Sequence, residues 1–548
     1  MADEQRTLAP EQRPEGVPPV LDEAHIGDIR GALGTISIHD SGERHGLRSR
    51  GMALLAIMGP GLIVMVGDND AGGVSTYSQA GQNYGTSLLW VLLLLIPVLI
   101  VNQEMVIRLG AVTGVGHAKL INERFGRFWG WFSVGDLFVL NFLTIVTEFI
   151  GVSLALGYFG VSRYVAVPVA AFSLIAITST GSFRSWERFM YVFVLANFLV
   201  IPLVIFAHPH LSDVVTHSFS PGIAGGANSK SVLLIIAIVG TTVAPWQLFF
   251  QQSNIIDKRI TPRWINYERL DTVVGAFVVV LGAGALITVT AYGFGGTLQA
   301  GQFGDAGTVA AGLDQHLGSL AGTFFAIVLL NASLIGAAAV TLATSYAFGD
   351  VFGASHSLNR GPLDAKLFYA SFSLMVIAAA GIVLIPGAPL GLITTSVQAL
   401  AGVLLPSATV FLLLLCNDRE VLGPWANPTW LNVIAAVIIG VLVELSLILM
   451  ASTLFPSVDV TSLFVYLSAG LAVALAGGGL YLLANRSTAG VDVRQPGAER
   501  RETWTMPPLA LLERPVWSPG RKAAMLMLRG YLVVAVLLLV VKTVQLGH

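Results

Sequence analysis

Two aspartates lie inside an otherwise apolar stretch near the start of the chain. Asp68 and Asp70 follow residues 60–66, and Gly72 and Gly73 come almost directly after them. If this stretch crosses a membrane, an ionised Asp70 is costly unless it has a cation, a paired base or a proton as partner. The stretch contains no Lys or Arg, so an external cation is the favoured partner.

A second apolar stretch, residues 231–256, carries a proline near its centre. Pro245 has no N–H and its ring crowds the carbonyl four residues earlier, so Thr241 is expected to lose its helical partner. Broken backbone at membrane depth occurs only where it is buried in protein or lines a cavity. The carbonyl oxygens of residues 241–244, which include Ala244, are therefore candidate ligands beside Asp70.

The donor atoms in these two stretches are carboxylate, carbonyl and amide oxygens. Such hard ligands suit Mg²⁺, Ca²⁺ or Mn²⁺. Structural roles stay open, because Asp68 or Asp70 could instead cap the second half of a broken helix. Trp246 could pack in the core, and Gln247 or Gln251 could bond neighbouring helices.

The composition indicates a membrane protein. The chain has 548 residues, of which 54% are hydrophobic and 11% are charged, whereas soluble proteins are about 25% charged. So few charges cannot cover a globular surface, so we expect the lipid bilayer to be the solvent. The net charge of −2 gives no reason to expect nucleic acid, and the single cysteine excludes internal disulfides. We expect no obligate protein partner and no cofactor besides a transported ion.

Twelve apolar stretches are long enough to cross about 30 Å of hydrocarbon. They fall near 52–75, 86–108, 129–158, 163–180, 188–207, 231–256, 270–294, 319–349, 366–386, 390–416, 430–454 and 460–484, and a thirteenth candidate span lies at 523–544. Basic residues follow the even-numbered spans up to the tenth, and the other connections hold almost none. By the positive-inside rule the N-terminus is cytoplasmic, in a multi-pass protein of the cell (plasma or inner) membrane.

The predicted organisation is an all-α polytopic membrane protein. Residues 1–50 are polar, lack the apolar core of a signal peptide and predict a disordered cytoplasmic tail. Breaks in the first and sixth spans indicate two inverted repeats that share a binding site. The repeats cover 51–208 (spans 1–5) and 229–416 (spans 6–10); spans 11–12 then occupy 429–485, and a basic cytoplasmic linker covers 486–522.

The chain resembles the Nramp divalent-metal transporters over about two-thirds of its length, from Gly59 to Asn427. The resemblance implies a LeuT-type fold with two inverted five-helix repeats, and a transporter rather than an enzyme. The motifs that carry it are Gly59-Pro60-Gly61, Gln79-Ala80-Gly81, Leu89-Trp90-Val91-Leu92, residues 108–114, Glu148-Phe149-Ile150-Gly151, Asn417-Asp418-Arg419 and Leu422-Gly423.

The chain departs from the family at the ion ligands. The family's Asp-Pro-Gly-Asn motif falls on Asp70-Ala71-Gly72-Gly73, and its Met-Pro-His motif falls on Ala244-Pro245-Trp246. The resemblance carries metal positions onto Asp70, Gly73 and Ala244, and adds Gln398 of the tenth span. Without the methionine thioether the preference for soft metals is lost. The smaller side chains predict a wide site for partly hydrated Mg²⁺, as in an Nramp-related magnesium transporter branch.

Proton-coupling residues of the family are also replaced. Two histidine positions carry Trp246 and Gln251, an aspartate position carries Ile145, and only Glu148 remains. We therefore expect uncoupled uptake by alternating access, for which about −100 mV supplies roughly 4.6 kcal/mol per dication. Asp68, Glu148, Trp246, Gln247 and Gln251 are expected to line the pathway or to support the ligands.

Rival functions share the fold or the membrane location. One is a proton-coupled Mn²⁺/Fe²⁺ symporter of the Nramp type, and the expected Mg²⁺ transporter could itself carry Mn²⁺. Another is a cation-coupled carrier for amines or amino acids, since Asp70 could accept an amine. A channel would give the same uncoupled flux, although broken helices favour alternating access. A membrane enzyme is disfavoured, because the sequence has no HExxH or GxSxG motif.

Overall fold

The computed structural model describes residues 21–512, apart from residues 41, 43, 389, 456 and 485–497, together with seven positions between 525 and 534. The candidate thirteenth span at 523–544 and much of the 486–522 linker therefore lie largely outside the described residues.

Helices make up almost all of the described chain. The first eleven are α1 (Leu47–Ile57), α2 (Pro60–Gly67), α3 (Ala71–Tyr84), α4 (Leu89–Thr113), α5 (His117–Phe125), α6 (Arg127–Tyr158), α7 (Arg163–Thr178), α8 (Phe183–Ala196), α9 (Val200–Ala207), α10 (Leu211–Phe219) and α11 (Ser229–Thr242). They are followed by α12 (Pro245–Asp257), α13 (Ile265–Phe294), α14 (Ala306–Leu317), α15 (Ser319–Phe352), α16 (Lys366–Val383), α17 (Leu390–Cys416), α18 (Arg419–Leu422), α19 (Thr429–Leu454), α20 (Val460–Ala484) and α21 (Ala498–Thr503).

The twelve predicted spans all have helical counterparts. Within the described residues, nine helices are long and apolar enough to cross a membrane, and two bent pairs raise that number to 11. The shorter apolar helix α7 accounts for the fourth predicted span. A helix therefore lies at each of the twelve predicted positions.

The first span differs in position from its prediction. The apolar stretch predicts a span over 52–75, but α1 is bent by 54° from α2. The bend lies at Gly59, whose φ of 147° favours glycine, and Pro60 then begins α2. The buried part of the span therefore consists of α2 followed by α3. Helix α1 precedes it at an angle, and we call α1 the elbow.

The long helices α6 and α15 pack along each other and form the centre of the bundle. Small residues allow this approach. A Cβ at Gly151 of α6 would lie only 2.2 Å from the Ser333 hydroxyl of α15 and 2.6 Å from Ala71 of α3. Close packing at Gly151 thus holds the start of α3 against both central helices.

Residues 21–40 are folded, in contrast to the predicted disorder of residues 1–50. Strands β1 (Ile29–Gly31) and β2 (Gly34–Ile36) form an antiparallel hairpin in which Ile29 pairs with Ile36. Both isoleucines are buried against the helices. We call the side of the bundle that carries this hairpin the hairpin face, and the opposite side the far face.

His25 fastens the segment before the hairpin to the end of α12. Its Nδ1 lies 2.8 Å from Asp22 Oδ1 and its Nε2 lies 3.0 Å from Asp257 Oδ1. Burial alone would lower the pKa of His25, but the hydrogen bonds and charges of Asp22 and Asp257 raise it to about 9. Because the folded-state pKa is raised, the stabilisation by His25 is complete below its unfolded pKa and is lost as pH rises through about 9.

The raised pKa of His25 predicts that residues 21–40 become more mobile at high pH. A spin label at Thr35→Cys, an exposed hairpin position in a Cys416→Ala background, should become more mobile between about pH 8 and 10 in electron paramagnetic resonance spectra. The same label with His25→Gln should lose that transition, since glutamine does not titrate. Unchanged mobility up to pH 10 with His25 present would contradict this assignment.

Candidate functional site

The first helix break places two aspartates between α2 and α3. Asp68 ends α2, and Asp70 caps α3 by accepting a hydrogen bond of 2.7 Å from the Gly73 N–H. Asp70 is only 5% exposed. The capping role that the sequence left open is therefore present, and it aims a positive helix end at the carboxylate.

The second break lies beside the first. Helix α11 ends at Thr242, α12 begins at Pro245, and non-helical Val243 and extended Ala244 connect them. The Tyr77 hydroxyl of α3 lies 2.8 Å from the Thr242 hydroxyl of α11. The two predicted interruptions thus form one site between four half-helices.

Gln247 joins the breaks through a side-chain network. Its Nε2 donates to Asp68 Oδ1, and its Oε1 accepts a hydrogen bond of 3.2 Å from Gln103 Nε2 of α4. The other Asp68 oxygen is buried and has no hydrogen-bond partner among the described residues. Asp68 therefore presents one free carboxylate oxygen next to the first break.

Glu148 of α6 stands opposite Asp70. Its Oε2 accepts a hydrogen bond of 3.1 Å from the Ala71 N–H, and the Asp70 and Glu148 side chains lie close together beside Gly336. Gly336 of α15 makes this possible, because a Cβ there would lie 2.8 Å from Glu148 Oε2 and 2.9 Å from Asp70 Cβ. Two carboxylates in one buried place repel each other, and a proton or a cation bound at the pair relieves that repulsion.

The expected widening of the site is not found in this conformation. A Cβ on Gly73 would already lie 3.1 Å from the Asp68 carbonyl oxygen and 3.2 Å from the Tyr77 ring. Ala244 is 7% exposed and packs in the core. The space beside Gly73 is therefore bordered closely by Tyr77 and by the backbone at Asp68, contacts that the sequence does not reveal.

Other predicted residues lie at different distances from the break. The Thr241 hydroxyl is buried and makes no hydrogen bond within the described part of the chain. Trp246 is buried, and a Cβ on Gly67 of α2 would lie 3.4 Å from its ring. Gln251 instead donates to the Thr272 hydroxyl of α13 at 2.8 Å. Gln398 is on α17, but its side chain is outside the described residues.

A cavity of about 580 Å³ extends from the site toward the far face. Ala71 and Thr147, the neighbours of Asp70 and Glu148 in sequence, line its inner end. Its outer end is lined by Tyr84, Lys230 and Asp305, which lie at helix ends on the far face. The site is therefore approached from the far face.

The available donors are oxygens from a few carboxylates, hydroxyls and carbonyls. No cluster of three or more His, Cys, Asp or Glu side chains that could hold a metal occurs in the described residues. A cation here would thus combine Asp70 with backbone and neutral oxygens, which suits hard cations.

Sequence reasoning missed two residues that shape the site. Tyr77 lies in the first-span run, but nothing local indicates that its hydroxyl meets α11. Gly336 is one glycine before three alanines on α15, and only the packed structure shows that it faces Asp70 and Glu148. Both roles depend on contacts distant in sequence.

The family model described as "Natural resistance-associated macrophage protein-like", abbreviated Nramp, matches residues 61–452. The chain is 25% identical over 426 residues to the divalent metal cation transporter MntH of Staphylococcus aureus strain Mu3, covering 73% of this chain and 91% of the relative. It is 26% identical over 455 residues to the MntH of Staphylococcus saprophyticus, covering 78% and 98%.

Solved structures show the same fold. The manganese transporter of Eremococcus coleocola, in complex with an aromatic bis-isothiourea compound, superposes with a TM-score of 0.63 at 20% identity. That match covers 82% of this chain and 99% of the other. The chain has the LeuT-type fold of such transporters, it is a multi-pass membrane transporter rather than an enzyme, and it belongs to the Nramp family.

Proposed function

We propose that the protein transports a divalent metal cation across the cell membrane, and that the ion binds at the paired helix breaks. The observation that carries this proposal is the buried Asp70 carboxylate, which faces Glu148 and has no basic side chain in either broken stretch. A carboxylate in that position needs a proton or a metal ion. The basic connections support a cytoplasmic hairpin face, so the far-face cavity would receive ions from outside.

Mn²⁺ is the first cargo that we propose. The relatives are named as divalent metal or manganese transporters, and an oxygen site accepts Mn²⁺ readily. The expectation of Mg²⁺ finds no support among these relatives. It stays a second candidate, because Ala244 supplies no sulfur to favour softer metals over Mg²⁺.

Proton coupling through Asp70 and Glu148 is the mode of transport that we propose. A dication that binds Asp70 offsets the negative charge that a proton on Asp70 or Glu148 would otherwise neutralise, so metal binding and protonation compete. The uncoupled uptake expected from Trp246 and Gln251 is the second candidate, since these side chains cannot relay a proton near neutral pH.

Removing the central carboxylate should abolish transport. Asp70→Ala should reduce Mn²⁺ uptake into proteoliposomes by at least about 100-fold, since even an outer-shell partner of a metal ligand is worth about 10–100-fold. Glu123→Ala removes an exposed carboxylate of α5 and should leave uptake unchanged. Normal uptake by Asp70→Ala would place the ion site elsewhere.

Restoring sulfur should change metal preference. Ala244→Met puts a thioether between α11 and α12, so the ratio of Cd²⁺ to Mg²⁺ uptake in competition assays should rise by roughly 10-fold or more. The matched variant Ala237→Met lies two turns earlier on α11, at the cavity wall, and should not alter the ratio. A wild-type preference for Cd²⁺ over both Mn²⁺ and Mg²⁺ would contradict the oxygen site.

A lumenal pH dye separates the two coupling modes. Mn²⁺ uptake by the wild type should acidify the vesicle lumen, whereas Glu148→Gln, whose amide does not titrate, should transport without acidification. Metal uptake with no pH change in the wild type would favour uncoupled flux, and Mg²⁺ should then be tested as the better cargo.

A further inference from the structure

The hairpin is pressed against the elbow before the first broken span. A Cβ on Gly31 of β1 would lie 2.1 Å from the Ala56 carbonyl oxygen of α1, and a Cβ on Gly34 would lie 2.9 Å from Ala56 Cβ. These contacts leave no gap between hairpin and elbow. Helix α1 therefore cannot move toward the hairpin unless the hairpin leaves first.

A buried ion pair connects the hairpin to three further elements. The Ala32 N–H donates to Glu187 Oε2 of α8 at 2.5 Å, and Glu187 Oε1 lies 2.5 Å from Lys258 Nζ after α12. Both charged side chains are fully buried. Lys258 Nζ also donates to the Met58 carbonyl oxygen at 2.6 Å, directly before α2. A continuous series of polar contacts thus connects β1, α8, the end of α12 and the start of α2, which we call the base of α2.

A second anchor lies before the hairpin. Asp257, which binds His25, also accepts hydrogen bonds from the Ser357 hydroxyl at 2.7 Å and the Leu358 N–H at 2.8 Å, in the connection from α15 to α16. Arg259 donates to the Ala24 carbonyl oxygen. Residues 21–40 are therefore fixed to both broken spans and to their surroundings.

We propose that residues 21–40 act as a latch that holds the hairpin face closed while the far-face cavity is open. Helix α2 meets its break at residues 68–70 and can pivot there, but its base is held through Met58 and Lys258 to the latch. Opening a path to the hairpin face moves that base, and so breaks the Ala32–Glu187 and Gly31–Ala56 contacts. The latch must therefore detach once in every cycle that releases an ion on this face.

The latch also sets the resting conformation. In alternating access, one face opens as the other closes, and an interaction made in only one state shifts the population toward it. All contacts of residues 21–40 with α8, α12 and the α1 elbow belong to the state with the open far face. Loosening the latch should shift the protein toward opening of the hairpin face, whichever metal it carries.

Thiol accessibility in the purified full-length chain tests the latch without any transported ion. Cys416→Ala provides the background, Gln79→Cys reports the far-face cavity, and Thr272→Cys reports the buried hairpin-face side of α13, where Thr272 contacts Gln251. Gly31→Glu forces the hairpin off Ala56. Thr35→Glu adds the same side chain to the exposed face of the same hairpin and is the matched control.

Gly31→Glu should raise maleimide labelling of Thr272→Cys by at least about fivefold and lower that of Gln79→Cys, as a population shift requires. Thr35→Glu should change neither. Ala32→Pro, which removes the N–H that bonds Glu187 and adds no side chain that would clash with Ala56, should change both labels in the same directions. Unchanged Thr272→Cys labelling in monodisperse Gly31→Glu and Ala32→Pro would refute the latch.

Increased labelling of both reporter cysteines in Gly31→Glu would mean that this variant has unfolded. The labelling of the smaller Ala32→Pro variant then decides whether the latch is correct. These outcomes are independent of the proposed cargo. Failed Mn²⁺ uptake with the expected labelling would leave the latch standing and reject only the proposed function.

Discussion

The centre of this fold depends on keeping the Asp70 carboxylate buried. An intact helix would use its own N–H groups for its own carbonyls and would leave none for a side chain at mid-span. By breaking between α2 and α3, the chain frees N–H groups at the start of α3, and Gly73 donates one to Asp70. The neighbouring Ala71 N–H goes to Glu148. The break is thus what makes two carboxyl groups tolerable in one buried place.

The two faces of the bundle differ because different half-helices of the two broken spans border them. Toward the far face, α3 and α11 diverge around a cavity of about 580 Å³. Toward the hairpin face, α2 and α12 converge on the fully buried pair Glu187 and Lys258. Separating Glu187 from Lys258 would leave a buried charge unpaired, which is costly, so this pair favours the closed arrangement of this face. A single alternating-access state requires one closed face and one open face.

Local chemistry explains why part of this arrangement is predictable from sequence. Apolar length reveals the spans, and Pro245 and the Asp68–Gly73 run reveal both breaks, because each effect acts within about one helical turn. The polar composition of residues 1–50 predicts a disordered tail. Residues 21–40 nevertheless fold, because Gly31 and Gly34 fit the surface of α1. The wide site expected from Gly73 and Ala244 is not seen in this conformation, in which the Asp68 carbonyl oxygen and the Tyr77 ring lie close to Gly73. Such outcomes depend on contacts between distant residues, which composition and periodicity do not encode.

At the proposed site, different residues would select between metals and between a metal and a proton. Metals are distinguished from one another by donor softness, which here depends on Ala244 and the oxygens around it. Competition between metal and proton would depend on Asp70 and Glu148, because two carboxylates in one buried place repel each other. One proton relieves that repulsion, and a dication relieves it without the proton. A substitution at Ala244 therefore changes which metal competes, whereas one at Glu148 changes whether a proton has to leave.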